Sequence, residues 1–177
     1  MLRHLASITA ERALAAGFFG SGLLLGGAHI FEAAGYAPCD LCLDQREVHW
    51  AALGVSAAGL SAAFVFHSRI GAIAALCVAA LAYMFSAGLA GYHAGVEYGF
   101  WPGPATCSGV GSLDIDLQSI QEALRGPAAG PACDEAPWTL FGVSMAGYNM
   151  LFSMGLAGIA AAAGRAAIID ERRKAQA

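Results

Sequence analysis

Charge is what this chain has least of. Only 12% of its 177 residues are charged, about half the ~25% of a soluble globular domain. Such scarcity, with long uncharged runs, excludes an ordinary water-soluble domain and reads as an integral membrane protein. The nine lysines and arginines are few and scattered, which excludes a nucleic-acid-binding patch. Internal repeats are missing, and no stretch reads as a second soluble domain. Residues 1–177 are therefore expected to form a single membrane domain.

What fills the chain instead is 58% hydrophobic residues, gathered into four runs. Residues 13–31 make a charge-free stretch of 19, interrupted in polarity only by Ser21 and His29. As a helix this crosses ~30 Å of hydrocarbon. A cleaved signal peptide is the alternative, since small residues follow at 33–35, but a signal's apolar core spans only about 7–15 residues. Further spans are expected at about 45–66, 70–92 and 140–163. Gly22 and Gly26 form a Gly-x-x-x-Gly pattern, which lets a neighbouring helix approach closely, though in so Gly- and Ala-rich a chain the pattern also arises by chance. The expected fold is an all-α, four-transmembrane-helix bundle.

Seven of the nine basic residues (Arg3, Arg12, Arg69, Arg165, Arg172, Arg173 and Lys174) lie in the N-terminal segment, the turn at Arg69 and the tail. Arg46 and Arg125 lie on the other side. The positive-inside rule then puts both termini in the cytoplasm. Two loops, about 32–44 and 93–139, face outward. In the second, Leu113, Leu117, Ile120 and Leu124 recur at helical spacing, predicting a short amphipathic helix on the membrane surface. Trp101 and Trp138 bracket that loop where interfacial aromatics belong.

Chemistry concentrates in Pro38-Cys39-Asp40-Leu41-Cys42-Leu43-Asp44-Gln45-Arg46. A Cys-x-x-Cys pair closes into a small, easily reduced disulfide. If the following run is helical, Cys42 and Arg46 share a face, and a helix N-terminus and a guanidinium both favour a thiolate at Cys42. Asp40, Asp44 and Glu47 push the other way. Cys107 and Cys133 stand on the second loop, while Cys77 is a mid-span residue read as an inert small hydrophobe. Two outward pairs admit three readings: structural disulfides, ligands of one zinc ion, or a relay of oxidising equivalents. His93 and Glu97, four apart at the outer end of the third span, either cap that span or face Arg46 across the bundle mouth to bind a polar head group. His29, Glu32 and His49 read as interfacial polar residues. Arg46, a charge at a span's start beside a dithiol, reads as functional.

In order along the chain, Pro-Cys-x-Leu-Cys with Gln45-Arg46, Tyr92-His93-x-Gly95-Val96-Glu97, Trp101-x-Gly103-Pro104-x-x-Cys107, Cys133 near Trp138, and Leu140-Phe141-Gly142-Val143-Ser144-Met145 resemble the disulfide bond formation protein B family. The resemblance covers nearly the whole chain except its tails. It implies a bacterial inner-membrane thiol oxidase whose redox loops face the periplasm. By this likeness Cys39 and Cys42 are reoxidised by a membrane quinone, ubiquinone or menaquinone, with Cys42 next to the ring. Arg46 would be the quinone's polar contact, assisted by His93 or Glu97. Cys107 would be attacked by a periplasmic thioredoxin-fold dithiol oxidase (DsbA-like), with Cys133 as its intramolecular mate. No metal is implied.

For this type of relay the reference potential of a DsbA-like partner is about −120 mV, and ordinary structural disulfides lie below about −300 mV. Oxidising such a partner with an ordinary staple would be uphill by roughly 180 mV, about 8 kcal/mol. The second pair must therefore be labile and coupled to a strong acceptor. Two rivals remain: a quinone or quinone-epoxide reductase of opposite physiological direction, and a non-catalytic four-span scaffold with structural disulfides or a zinc site.

Overall fold

The computed structural model of the protein describes residues 2–104 and 131–176. Among the described residues, four long helices form the body of the protein: α1 (Leu2–Ala33), α2 (Asp40–Phe64), α3 (Arg69–Glu97) and α4 (Met145–Ala175). Three of them, over Ala10–Ala33, Arg69–Glu97 and Met145–Ala175, are long and apolar enough to cross a membrane. In α2 the first two turns hold Asp40, Asp44, Arg46 and Glu47, leaving 48–64 as its uncharged part. The expected surface helix around 113–124, and Cys107, lie outside the described residues.

Ion pairs at both ends show how the helices run. Arg46 near the start of α2 meets Glu32 near the end of α1, and Arg69 at the start of α3 meets Asp170 and Glu171 near the end of α4. Each of these helix pairs is therefore antiparallel. The largest packed face joins α3 and α4, followed by α2 on α3. Cys39 and Ser68 are the N-caps of α2 and α3, each accepting a backbone N–H of the first turn with its side chain.

The fourth run departs from expectation at its start. Residues 140–144 do not enter the helix; β1 (Thr139–Leu140) and β2 (Val143–Ser144) pair antiparallel as a two-residue hairpin. Phe141 and Gly142 both have positive φ, 52° and 77°, which is what the favoured two-residue hairpin turn demands at both central positions. Ser144 then caps α4 by accepting the Gly147 N–H. The third helix, α3, runs to Glu97, so that His93 and Glu97 stand one turn apart at its outer end, as their spacing predicts.

Small residues make the core. One cluster joins Ala10, Ala13, Leu14, Ala72, Leu76, Ala80, Ala160 and Ala163; a second joins Ala52, Ala79, Tyr83 and Ala157. Close approach happens at Gly59, where an added Cβ would stand 2.6 Å from Ala75 Cβ and 2.7 Å from Leu14 Cδ2. The Gly22 and Gly26 pattern serves no such contact. A Cβ at Gly22 would meet only Leu53 at 3.8 Å, and at Gly26 nothing within 4 Å.

Candidate active site

At the other end of the bundle a third cluster joins Cys39, Leu41, Val96 and Cys133. The chain leaves α1, turns through Gly35 (φ 100°), and Pro38 leads directly into the cap of α2. Capping puts the Cys39 thiol over the helix N-terminus, where it accepts the Cys42 N–H at 3.3 Å, and the two sulfurs lie 2.8 Å apart. Cys39 is buried and Cys42 partly open, both as free cysteines. In this pair the Cys42 thiol is held below the ordinary thiol range. The hydrogen bond from Cys39 is the main cause, with the Cys39 backbone bond and the Arg46 charge adding to it against burial and the Glu97 charge. Donating that hydrogen bond, together with burial, pushes Cys39 upward.

Arg46 stacks one turn beyond Cys42, as the spacing predicts. Its guanidinium is tied to α1, donating to Glu32 Oε2 at 2.5 Å and to the Ala28 carbonyl at 3.2 Å. Glu32, read from the sequence as merely interfacial, is thus the residue that orients Arg46. The signal was present, since an acid at the outer end of one span and a base at the start of the next face each other across a short loop.

His93 is almost fully buried, and its imidazole turns toward sulfur. Its Nε2 lies 3.6 Å from Cys39 Sγ and 3.9 Å from Glu97 Oε1, and the ring also hydrogen-bonds the Cys133 backbone. Glu97 is likewise buried and accepts the Ser144 hydroxyl. Cys133 is 1% exposed and disulfide-bonded. The ligand-type atoms of Cys39, His93 and Cys133 all lie within 4.8 Å of one another. Of the predicted site residues, Cys39, Cys42, Cys133, Arg46, His93 and Glu97 therefore converge, and Cys107 lies outside the described residues. Cys77 is exposed on α3, away from this site.

Beside the dithiol opens a cavity of about 340 Å³ between α1, α2 and α4. Leu23, Leu24, Phe31, Tyr36, Trp138 and Phe152 contribute apolar walls, and Cys42, Gln45, Arg46, His49, Glu97 and Asn149 a polar side. Trp138 is braced edge-on against Phe31, with ring centroids 5.1 Å apart. On the far side of α3, Trp101 lies so close over Gly95 that any Cβ there would clash, and its indole donates to the Tyr92 carbonyl at 2.9 Å. This explains the Tyr-His-x-Gly spacing ahead of Trp101.

Polar residues that sequence reasoning left aside lie directly beneath. Gln45, His49, Asn149, Ser21, Ser86, Ser153 and Tyr83 are joined by hydrogen bonds inside the bundle. Single polar residues in apolar runs gave the only hint, because no local spacing links α1, α2, α3 and α4. The family model for disulfide bond formation protein DsbB matches residues 10–163. No curated protein and no solved structure matches the chain.

Proposed function

The chain belongs to the DsbB family of disulfide bond formation proteins, and from that premise we propose that it is a membrane thiol:quinone oxidoreductase. It reoxidises a periplasmic thioredoxin-fold dithiol oxidase (DsbA-like) through its two cysteine pairs and passes the electrons to the membrane quinone pool. One observation carries this reading. Cys133, from the second loop, sits against Cys39, while Cys42 borders a cavity whose walls suit a flat apolar head group. Neither a scaffold nor a pair of unrelated staples calls for that convergence.

The roles follow in order. The partner's thiolate attacks Cys107, freeing Cys133. Cys133 attacks Cys39, and the Cys39–Cys42 bond breaks with its electron pair on Cys42. Cys42 is suited to hold that charge, since hydrogen bonds and Arg46 favour its thiolate. The donor set fits a quinone: Arg46, with His93 and Glu97 nearby, supplies polar partners for carbonyl oxygens, and Leu23, Leu24, Phe31 and Trp138 supply apolar contact. A bound ubiquinone or menaquinone would accept the two electrons and two protons of the dithiol. Glu32 keeps Arg46 at the cavity edge, and Trp138 helps close it from water.

Four spans, termini in the cytoplasm and an inner-membrane location complete the proposal. The basic residues at the Arg69 end and the dithiol at the opposite end support that orientation. The test is quinone reduction, followed by absorbance, with purified protein and a reduced thioredoxin-fold dithiol partner. Turnover that requires Cys39, Cys42, Cys107 and Cys133 but not Cys77 is expected. Loss of no quinone, with the cysteines unreactive, would return the chain to the scaffold reading.

A further inference from the structure

The buried polar groups beneath the dithiol have a common direction. The Leu41 carbonyl carries no hydrogen, so the group of Gln45 that faces it, 2.9 Å away, is the amide NH₂. The same NH₂ reaches His93 Nδ1 at 2.8 Å, making Nδ1 an acceptor. A neutral His93 then carries its hydrogen on Nε2, the atom 3.6 Å from Cys39 Sγ, which shares that hydrogen with the Cys133 backbone. Behind Gln45, Asn149 Nδ2 donates to Gln45 Oε1 at 2.7 Å. The remaining Asn149 oxygen accepts from His49 Nε2 at 2.8 Å, which leaves His49 Nδ1 to accept from Ser21 at 3.3 Å. Five hydrogen bonds thus run head to tail from Ser21 to the Cys39 sulfur. Ser21, having given its one hydrogen to His49, accepts from Tyr83, whose hydroxyl also lies 2.8 Å from the Gly17 carbonyl. Tyr83 lies 14 residues before the end of α3, about 21 Å along the helix at ~1.5 Å per residue.

Polar groups this deep in an apolar bundle are costly unless satisfied. A same-sense chain polarises itself, each bond strengthening the next. Its positive end is His93 Nε2–H. We infer that the Ser21–His49–Asn149–Gln45 line locks His93 as a hydrogen-bond donor, so that His93 acts on the Cys39 sulfur during exchange between the two cysteine pairs. This inference rests on the proposed relay and adds to His93 a task at sulfur, apart from any contact with quinone.

In the step concerned, the partner's second thiolate has broken the partner–Cys107 mixed disulfide, leaving as oxidised partner, and the released Cys107 thiolate attacks Cys133 of a Cys39–Cys133 disulfide. The Cys107–Cys133 bond forms, the Cys39–Cys133 bond breaks, and the electron pair leaves on Cys39. That sulfur accepts from His93 Nε2 and from the Cys42 backbone N–H, at 3.6 and 3.3 Å. The proton that completes the Cys39 thiol comes from the partner's dithiol. His93 touches the reacting sulfur and is the catalytic residue; Gln45, Asn149 and His49 are positioning residues. The same lock withholds the Nε2 lone pair, so His93 serves neither as a base toward Cys39 nor as a metal ligand there.

Imidazole ¹⁵N shifts of the full-length protein in detergent read the tautomer directly, and the expected result is neutral Nε2–H at His93. Exchange is measured without quinone, using dithiothreitol as reductant and a maleimide quench. Gln45→Leu and, from the other side, Asn149→Leu should release the tautomer and slow exchange by about tenfold to a hundredfold, the value of one hydrogen bond to a charged group. Gln45→Glu, which offers Nδ1 an acceptor, should move hydrogen onto Nδ1 and shift the pH profile of exchange. An Nδ1–H tautomer in the wild-type protein overturns the inference even if every variant misfolds. So does unaltered exchange in a variant whose tautomer has changed. If quinone is never reduced yet tautomer and exchange behave as stated, the oxidase reading fails and the locked donor stands.

Discussion

Cys39 and Cys42 differ although they sit one turn apart. Cys39 is buried as the helix cap, donates to its neighbour and is pushed up; Cys42 receives that bond and is held down. A depressed thiol is present as thiolate at pH values where an ordinary thiol is still protonated. Alkylation of Cys42 in the reduced protein should therefore rise at lower pH than that of a free cysteine. Cys39→Ala removes the principal donor and should move that rise to higher pH, as read by mass spectrometry of the labelled protein across a pH series. At Arg46 the test is affinity. Arg46→Ala should raise the apparent KM for quinone about tenfold or more, the scale of one charge-assisted hydrogen bond, with a smaller change in kcat. Glu32→Gln should move it the same way but less, since it loosens the guanidinium without removing it. An Arg46→Ala enzyme with an unchanged KM, beside an inactive Cys42→Ser, would mean that the quinone sits elsewhere.

Among the elements, α2 packs closely toward its C-terminal end and carries its reactive groups at its start. Gly59 lets α1, α2 and α3 meet. Gly59→Val forces side chains and backbone apart and should destabilise the bundle by about 1–3 kcal/mol, the scale of overpacking. Gly26→Ala faces open space and should be neutral or stabilising by up to ~1 kcal/mol, because alanine favours helix. Thermal unfolding of the two variants in one detergent checks the contrast. The hairpin before α4 is the other element-scale feature. Phe141 and Gly142 hold positive φ, and Tyr98 braces the turn by donating to the Gly142 carbonyl at 2.8 Å and accepting the Ser144 N–H at 2.9 Å. That bracing sets the cap of α4, and with it the height at which Ser144 meets Glu97.

For the whole molecule, two loops deliver cysteines to one end of an antiparallel bundle while basic residues gather at the other. Glu135→Cys should be labelled by a membrane-impermeant maleimide in whole cells, and Lys174→Cys only after the membrane is opened. The opposite pattern would invert the orientation. Division of labour between the pairs makes a second prediction. Cys107→Ser should abolish oxidation of the dithiol partner while the Cys39 and Cys42 pair still reduces quinone when given a small dithiol. Normal turnover of the partner by that variant would reverse the order of the pairs.

Composition and periodicity determined a good deal unaided. Four apolar runs, the bias of arginine to one side and the Cys-x-x-Cys before a helix are local properties, and local properties are what a linear pattern records. The four helices and the place of Arg46 one turn beyond Cys42 agree with that reading, while the meeting of Cys39, Cys133, His93 and Glu97 depends on how the helices pack. Helix ends were less legible: residues 140–144 look apolar enough for a span, but two positive φ values turn them into a hairpin. The glycine pattern at 22 and 26 has no close neighbour, because close approach depends on which face a neighbour covers, and glycines such as Gly17, Gly59 and Gly95 are the covered ones. Only the tertiary structure decided the rest. Glu32 orients Arg46, and Gln45 sets the tautomer of His93 through bonds that join residues up to 104 positions apart. Such bonds arise where polar groups must find partners inside a medium that offers none, so they follow from how the helices pack.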